Sequence, residues 1–231
     1  MKIAALIVLG AASMALGQPA SSTTEPPAVL QGQVDFQFER VGLPVPRYTI
    51  EVREDGTGRY QADEASTAPS GSSAAVQYGK HIDRPITLSP ATVTKIFKLA
   101  RSLDRFDIAC DSKAKNIANT GKKTLTYAGP DGRGSCVYNY SENKSVSALT
   151  DMFFAIAFTL DEGRRMEFLH RYDRLGLDAE ISSLAQEEKE GRALELGTIA
   201  PTLSAIENDT ALIQRVRLQA ARLLEQSKDE K

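Results

Sequence analysis

Alternating apolar and polar residues predict a β-hairpin between positions 47 and 63. Apolar residues occupy every second position on both sides of a Glu54-Asp55-Gly56 turn: Tyr48, Ile50 and Val52, then Tyr60 and Ala62. This is the period-2 pattern of strands with one buried face. A three-residue loop with a left-handed Gly56 keeps the apolar residues on one face, pairing Ile50 with Tyr60. A two-residue loop would mix apolar and polar side chains on each face, so the longer loop is predicted.

The same period predicts further strands. Val34, Phe36 and Phe38 alternate with polar residues and indicate a strand before the hairpin. A second hairpin is predicted from Lys123–Tyr127 and Ser135–Tyr140. Its register stays open, because either Cys136, Tyr138 and Tyr140 or Val137 can share the face of Leu125 and Tyr127.

A helix follows the first hairpin. Ser89 is a good N-cap, and Pro90 suits the first helical position. The next apolar residues fall at helical spacing: Val93, Ile96, Phe97, Ala100 and Leu103. This stripe predicts a helix that packs across the sheet.

The apolar period changes to 3.6 near residue 146 and stays helical. A first stripe consists of Val146, Leu149, Phe153, Ile156 and Leu160, and a separate second helix is expected from Met166, Leu169 and Tyr172. Three more short helices are expected before the C-terminus. The predicted fold class is α+β: an antiparallel sheet of hairpins with one packed helix (32–145), followed by an all-helical region (146–231).

The N-terminus has the pattern of an export signal. Residues 1–17 combine one lysine, an apolar run and a final Ala15-Leu16-Gly17, which predicts a signal peptide. Residues 18–31 are rich in Pro, Ser and Thr and predict a disordered lead-in. No later segment reaches 18 apolar residues. A periplasmic or secreted mature protein without a transmembrane segment is therefore expected.

A resemblance agrees with that location. Arg40, Pro46-x-Tyr48, Asp55-Gly56 and Tyr60 resemble an uncharacterised family of exported bacterial proteins over residues 34–140. In that family an R-x-x-C-x-G-x-C-P-x-Y segment precedes a strand, a D-G turn, a returning strand, a helix and a second hairpin. The present chain lacks both cysteines of that segment, and Val45 replaces the second one. The resemblance implies the export and the order of elements, and it implies no activity.

Composition and the two cysteines narrow the functional classes. The 231-residue chain has a net charge of −2, which gives no general affinity for nucleic acid. In an oxidising compartment the lone pair Cys110 and Cys136 is expected to form a disulfide. Zinc binding by these cysteines with His81 and His170 lacks the usual ligand spacing, and no metal or cofactor is expected.

The loop between the cysteines is the candidate binding site. Five basic residues gather there, Lys113, Lys115, Lys122, Lys123 and Arg133, and positions 90–145 hold ten Lys and Arg against five Asp and Glu. Such a segment suits an acidic envelope protein or an anionic polymer. The alternative is a solvated loop whose lysines bind nothing.

Recognised catalytic motifs are missing from the sequence. There is no G-x-S-x-G elbow with its strand and helix, no P-loop and no H-E-x-x-H. The pattern therefore favours a non-catalytic binding or interaction module of the bacterial envelope, with no catalytic residue assigned. The alternative is an envelope hydrolase with a dispersed acid–base site that uses His81 or His170.

Overall fold

An antiparallel sheet with helices on one face forms the first part of the chain. The computed structural model describes residues 31–65 and 78–229, and their fold class is α+β, as predicted. The strands are β1 (Gln33–Glu39), β2 (Arg47–Arg53), β3 (Thr57–Ala65), β4 (Tyr78–Thr87), β5 (Lys122–Gly129) and β6 (Gly132–Tyr138). Their spatial order is β4-β3-β2-β1-β5-β6.

The predicted register of the first hairpin is confirmed. Ile50 lies opposite Tyr60, and Glu51 lies opposite Arg59. Gly56 has a φ of 84°, a value that a glycine adopts without strain. The Arg59 guanidinium donates a hydrogen bond to Asp83 on β4. The alternating pattern therefore predicts the strand pairing correctly, and the neighbouring strand β4 supplies the hydrogen-bond partner of Arg59.

The second hairpin adopts the first of its two open registers. Cys136 lies opposite Leu125 and is buried with it, whereas Val137 is exposed. Tyr140 follows the end of β6 and is also exposed, so it does not continue the buried face. The strands are longer than expected, and only residues 130 and 131 separate β5 from β6.

Five α-helices complete the described chain. They are α1 (Pro90–Ser102), α2 (Lys144–Tyr172), α3 (Leu177–Lys189), α4 (Ala200–Asn208) and α5 (Gln214–Asp229). The predicted cap of α1 is confirmed, because Ser89 Oγ accepts a hydrogen bond from the Thr92 amide at 3.3 Å. The predicted apolar stripe of α1 is buried against the sheet.

The expectation of two separate helices over residues 146–172 is wrong, because α2 is continuous. Its apolar stripe changes partner along its length: Phe153 packs on the sheet, and Met166 packs among the later helices. Gly163 lies at the change. A Cβ placed there would meet the Ile199 side chain at 2.2 Å, so the glycine permits close approach of the turn Leu196–Ile199. The break in the apolar stripe near Gly163 therefore reflects this close contact and does not mark the end of a helix.

Two clusters of buried apolar residues result. One joins the sheet, α1 and the first part of α2; the other joins the end of α2 with α3, α4 and α5. Because α2 contributes to both, the predicted division between residues 145 and 146 falls in the first turn of a helix that the two parts share. The predicted signal peptide (1–17) and nearly all of the lead-in (18–31) lie outside the described residues. No helix in the described part of the chain is long and apolar enough to cross a membrane.

Candidate functional site

The predicted disulfide is confirmed. Cys110 and Cys136 are bonded, with their Cα atoms 5.8 Å apart, and the bond joins the basic loop to β6. Polar contacts hold the same loop: Asp111 accepts from the Asn139 amide at 2.9 Å, and Asn139 Oδ1 accepts from the Thr120 amide at 2.8 Å. The loop is therefore fixed to the sheet at both ends.

Lys123 departs from the expected binding role, because only 4% of its surface is exposed. Its Nζ donates to the carbonyl oxygens of Gly121 and Asn139 at 2.9 and 2.7 Å, and to Thr120 Oγ1 at 2.9 Å. Burial lowers the pKa of Lys123, while the carbonyl dipoles compensate for part of the lost hydration. The ammonium therefore anchors the loop and cannot meet an external ligand. The other four candidates, Lys113, Lys115, Lys122 and Arg133, are exposed.

A cleft of about 1570 Å³ lies between the helix-covered face of the sheet and the second half of α2. Apolar and aromatic side chains line one section of it: Phe38, Leu43, Val45, Tyr48, Phe154 and Phe158. Charged side chains line the other section, the basic section: six basic ones (Lys80, Arg84, Arg164, Arg165, Arg171 and Arg174) and five acidic ones (Glu64, Asp161, Glu162, Glu167 and Asp209). The cleft residues on α2 run from Phe154 to Tyr172, a length of about 27 Å at 1.5 Å per residue.

Ion pairs across the cleft neutralise most of its arginines. Arg84 on β4 donates two hydrogen bonds to Glu167 on α2, at 2.9 and 2.6 Å. Arg164 pairs with Glu64 on β3. Within residues 31–65 and 78–229, neither Lys80 nor Arg171 forms an ion pair. These two cations are therefore the available positive charges of the cleft.

Two carboxyl groups on the cleft wall hold their protons more strongly than usual. Burial raises the pKa of Asp161, although Tyr60 donates a hydrogen bond to it at 2.9 Å. Burial and the neighbouring Glu180 raise the pKa of Glu162 to about 8. Two carboxylates cannot hydrogen-bond to each other until one is protonated. A proton on Glu162 gives Glu180 a donor and leaves Glu162 neutral at pH 7.

The structure separates the two histidines. His170 lines the cleft, and its Nε2 lies 2.9 Å from Asp209 Oδ2. Asp209 also pairs with Arg174 at 3.3 Å and accepts from the Ala211 amide at 2.9 Å. His81 lies on the solvent-facing side of the sheet, 2.8 Å from Asp63. Of the two histidines, His170 therefore lines the cleft, and its carboxylate partner Asp209 is 39 positions away in the sequence.

Sequence reasoning missed the cleft. Its lining comes from positions 38 to 209, and side chains that are so dispersed form no motif. One signal was present: the segment 161–174 carries charged residues around most of a helix, interrupted by Phe168 and Tyr172. A purely solvated helix face has no need of exposed aromatic side chains.

Comparisons with known proteins supply no identity. No family model matches this chain, and no curated protein matches it significantly. The described residues contain no group of three or more His, Cys, Asp or Glu side chains arranged to hold a metal ion. What the cleft binds is therefore inferred from the residues that line it.

Proposed function

We propose that this protein is a non-catalytic binding module of the bacterial envelope and that the cleft along α2 is its binding site. The observation that supports this most directly is the continuity of an aromatic section and a basic section in one cleft of about 1570 Å³. Typical small-ligand pockets occupy about 300–1,000 Å³. An elongated ligand is a better match for this larger, open cleft.

The envelope location rests on two features. The sequence of residues 1–17 predicts export, and the Cys110–Cys136 bond suits an oxidising compartment. In the same proposal, the exposed residues Lys113, Lys115, Lys122 and Arg133 form a second contact surface, for an acidic protein or anionic polymer.

An exposed alanine on the cleft wall provides the test. Ala205 lies on α4, lines the cleft and is exposed, so Ala205→Trp obstructs the cleft without entering the core. Ala148→Trp is the matched control, because Ala148 is an exposed helical alanine outside the cleft. Native mass spectrometry of protein isolated from its own envelope should find a bound ligand in the wild type and in Ala148→Trp. Equal ligand loading in Ala205→Trp would contradict the proposal.

The second candidate is a hydrolase, and the position of His170 beside Asp209 in the cleft favours it. A histidine base needs a nucleophile or an activated water. In the part of the chain that the structure describes, His170 forms no hydrogen bond to a hydroxyl or thiol group. Asp209 also holds Arg174 and the Ala211 amide, which gives the dyad a structural role before α5. Hydrolysis of an envelope ester or amide that His170→Gln abolishes, with ligand binding retained, would establish the enzyme.

A further inference from the structure

We propose that the ligand of the cleft is a single-chain amphiphilic anion, with its acyl chain against Phe154 and Phe158 and its head group near Lys80 and Arg171. This inference rests on the proposed binding function and names the class of ligand. Three observations support it: polarity is unevenly distributed along α2, two basic residues form no ion pair with any described residue, and the apolar section has walls of a particular kind.

Polarity is graded along the cleft. Phe154 contacts Phe38 of β1, and Phe158, one helical turn later, also lines the cleft. Leu43 and Val45 of the β1–β2 connection complete the apolar section. Arg171 lies 13 residues further along α2, about 20 Å away at the helical rise. An extended chain with a charged group at one end matches this separation, whereas a compact polar ligand would leave the aromatic section in contact with water.

The charge of the basic section selects an anion. Arg84 and Arg164 are committed to Glu167 and Glu64, and Arg165 is committed to Glu180 at 3.1 Å. Lys80 and Arg171 have no acidic partner among the described residues, and both are exposed to the cleft. Arg171 lies over the Tyr172 ring at 5.9 Å, which leaves its charge available to a head group. A carboxylate or a phosphate would supply the missing counter-charge.

The walls of the apolar section favour an acyl chain over a peptide. Most of these walls are the face of a sheet and the side of a helix, which pair their backbone groups internally, and the β1–β2 connection with Leu43 and Val45 completes them. A peptide lying there would bury its own amide and carbonyl groups without hydrogen-bond partners. An acyl chain carries no such groups, so its burial removes apolar surface from water at no polar cost.

The test uses four ligands with the same dodecyl chain: laurate, monododecyl phosphate, dodecyl maltoside and dodecyltrimethylammonium, each titrated calorimetrically below its micelle concentration. Both anions should bind one per protein chain, at least tenfold more tightly than the neutral and cationic ligands. Tighter binding of laurate would indicate a fatty acid, and tighter binding of the phosphate would indicate a lipid phosphate.

Variants assign the two ends of the ligand. The double substitution Lys80→Gln with Arg171→Gln should lower anion affinity to that of the maltoside. The control, Lys95→Gln with Lys98→Gln, removes the same charge from exposed positions of α1 and should bind like the wild type. Leu43 lines the apolar section of the cleft and is half-buried, so Leu43→Ser should weaken all dodecyl ligands. Leu218→Ser, at a 51% exposed position on α5, should weaken none.

Three results would overturn the inference: equal affinity for anionic and neutral ligands, unchanged anion binding in the cleft double variant, or tighter binding of an acidic peptide. These results are distinct from failure of the proposed function. If Ala205→Trp displaces a native ligand that is not an amphiphilic anion, the cleft remains a binding site and only the ligand class is wrong.

Discussion

Phe153→Ala tests how α2 is joined to the sheet. Phe153 is fully buried, and its ring stacks on Phe36 of β1 with centroids 4.9 Å apart and an interplanar angle of 3°. A phenylalanine buries about 150–250 Å², which at about 25 cal/mol per Å² stabilises the fold by about 4–6 kcal/mol. Alanine keeps part of that area, and the cavity that remains adds a further cost. We therefore expect a loss of about 3–5 kcal/mol in the free energy of unfolding.

Urea unfolding followed by circular dichroism measures this loss, with Phe168→Ala as the control. Phe168 lies on the same helix but is largely exposed, so its substitution should change stability by about 0.5 kcal/mol or less. A loss below about 1 kcal/mol for Phe153→Ala would refute the packing of α2 on the sheet. A reduced slope against urea concentration would show instead that the sheet and the later helices unfold separately.

Three further predictions concern the disulfide, the protonated carboxyl and the lysines. Reduction of Cys110–Cys136 should destabilise the protein by about 3–4 kcal/mol and lower its melting temperature, and two alkylatable thiols in the denatured, unreduced protein would contradict the bond. Unfolded glutamate ionises near pH 4.5 and folded Glu162 near 8, so the unfolded state loses its proton first and stability should fall as pH rises between these values. Glu162→Gln should flatten that fall, and an unchanged pH profile would refute the assignment. Replacing Lys113, Lys115 and Lys122 with Gln should leave stability unchanged, whereas Lys123→Met should destabilise the protein, because acceptors in Thr120, Gly121 and Asn139 lose a charged donor. Unchanged partner binding across a range of salt would make the three exposed lysines solubilising surface only.

The sequence was sufficient to predict those elements whose geometry depends only on residues close together in the chain. The first hairpin was predictable in register because Gly56 and the alternation around it allow one pairing that keeps Ile50 and Tyr60 on the same face. The cap at Ser89 was predictable for the same reason. Both features depend on residues within a short stretch of sequence.

Long-range contacts explain what the sequence did not predict. Gly163 within α2 allows the close approach of Ile199, a contact 36 positions apart that no local pattern reveals. Lys123 occupies an apolar position in the alternation of β5, yet its ammonium donates to carbonyl groups of Gly121, just before β5, and Asn139, just after β6. The cleft combines side chains from the sheet, α2 and α4, so its residues share no sequence neighbourhood.

The position of α2 in the chain also determines when the apolar face of the sheet is covered during synthesis. Phe36, Ile50 and Leu125 all precede residue 140, whereas Phe153 and Ile156, which cover them, come later. A nascent chain that has just completed β6 therefore presents much of this face to solvent until about 20 more residues emerge. Uncovered apolar surface of this kind is prone to aggregate. Truncation before residue 153 is expected to yield an insoluble sheet. A chaperone that binds the nascent chain during this interval should raise the yield of the full chain.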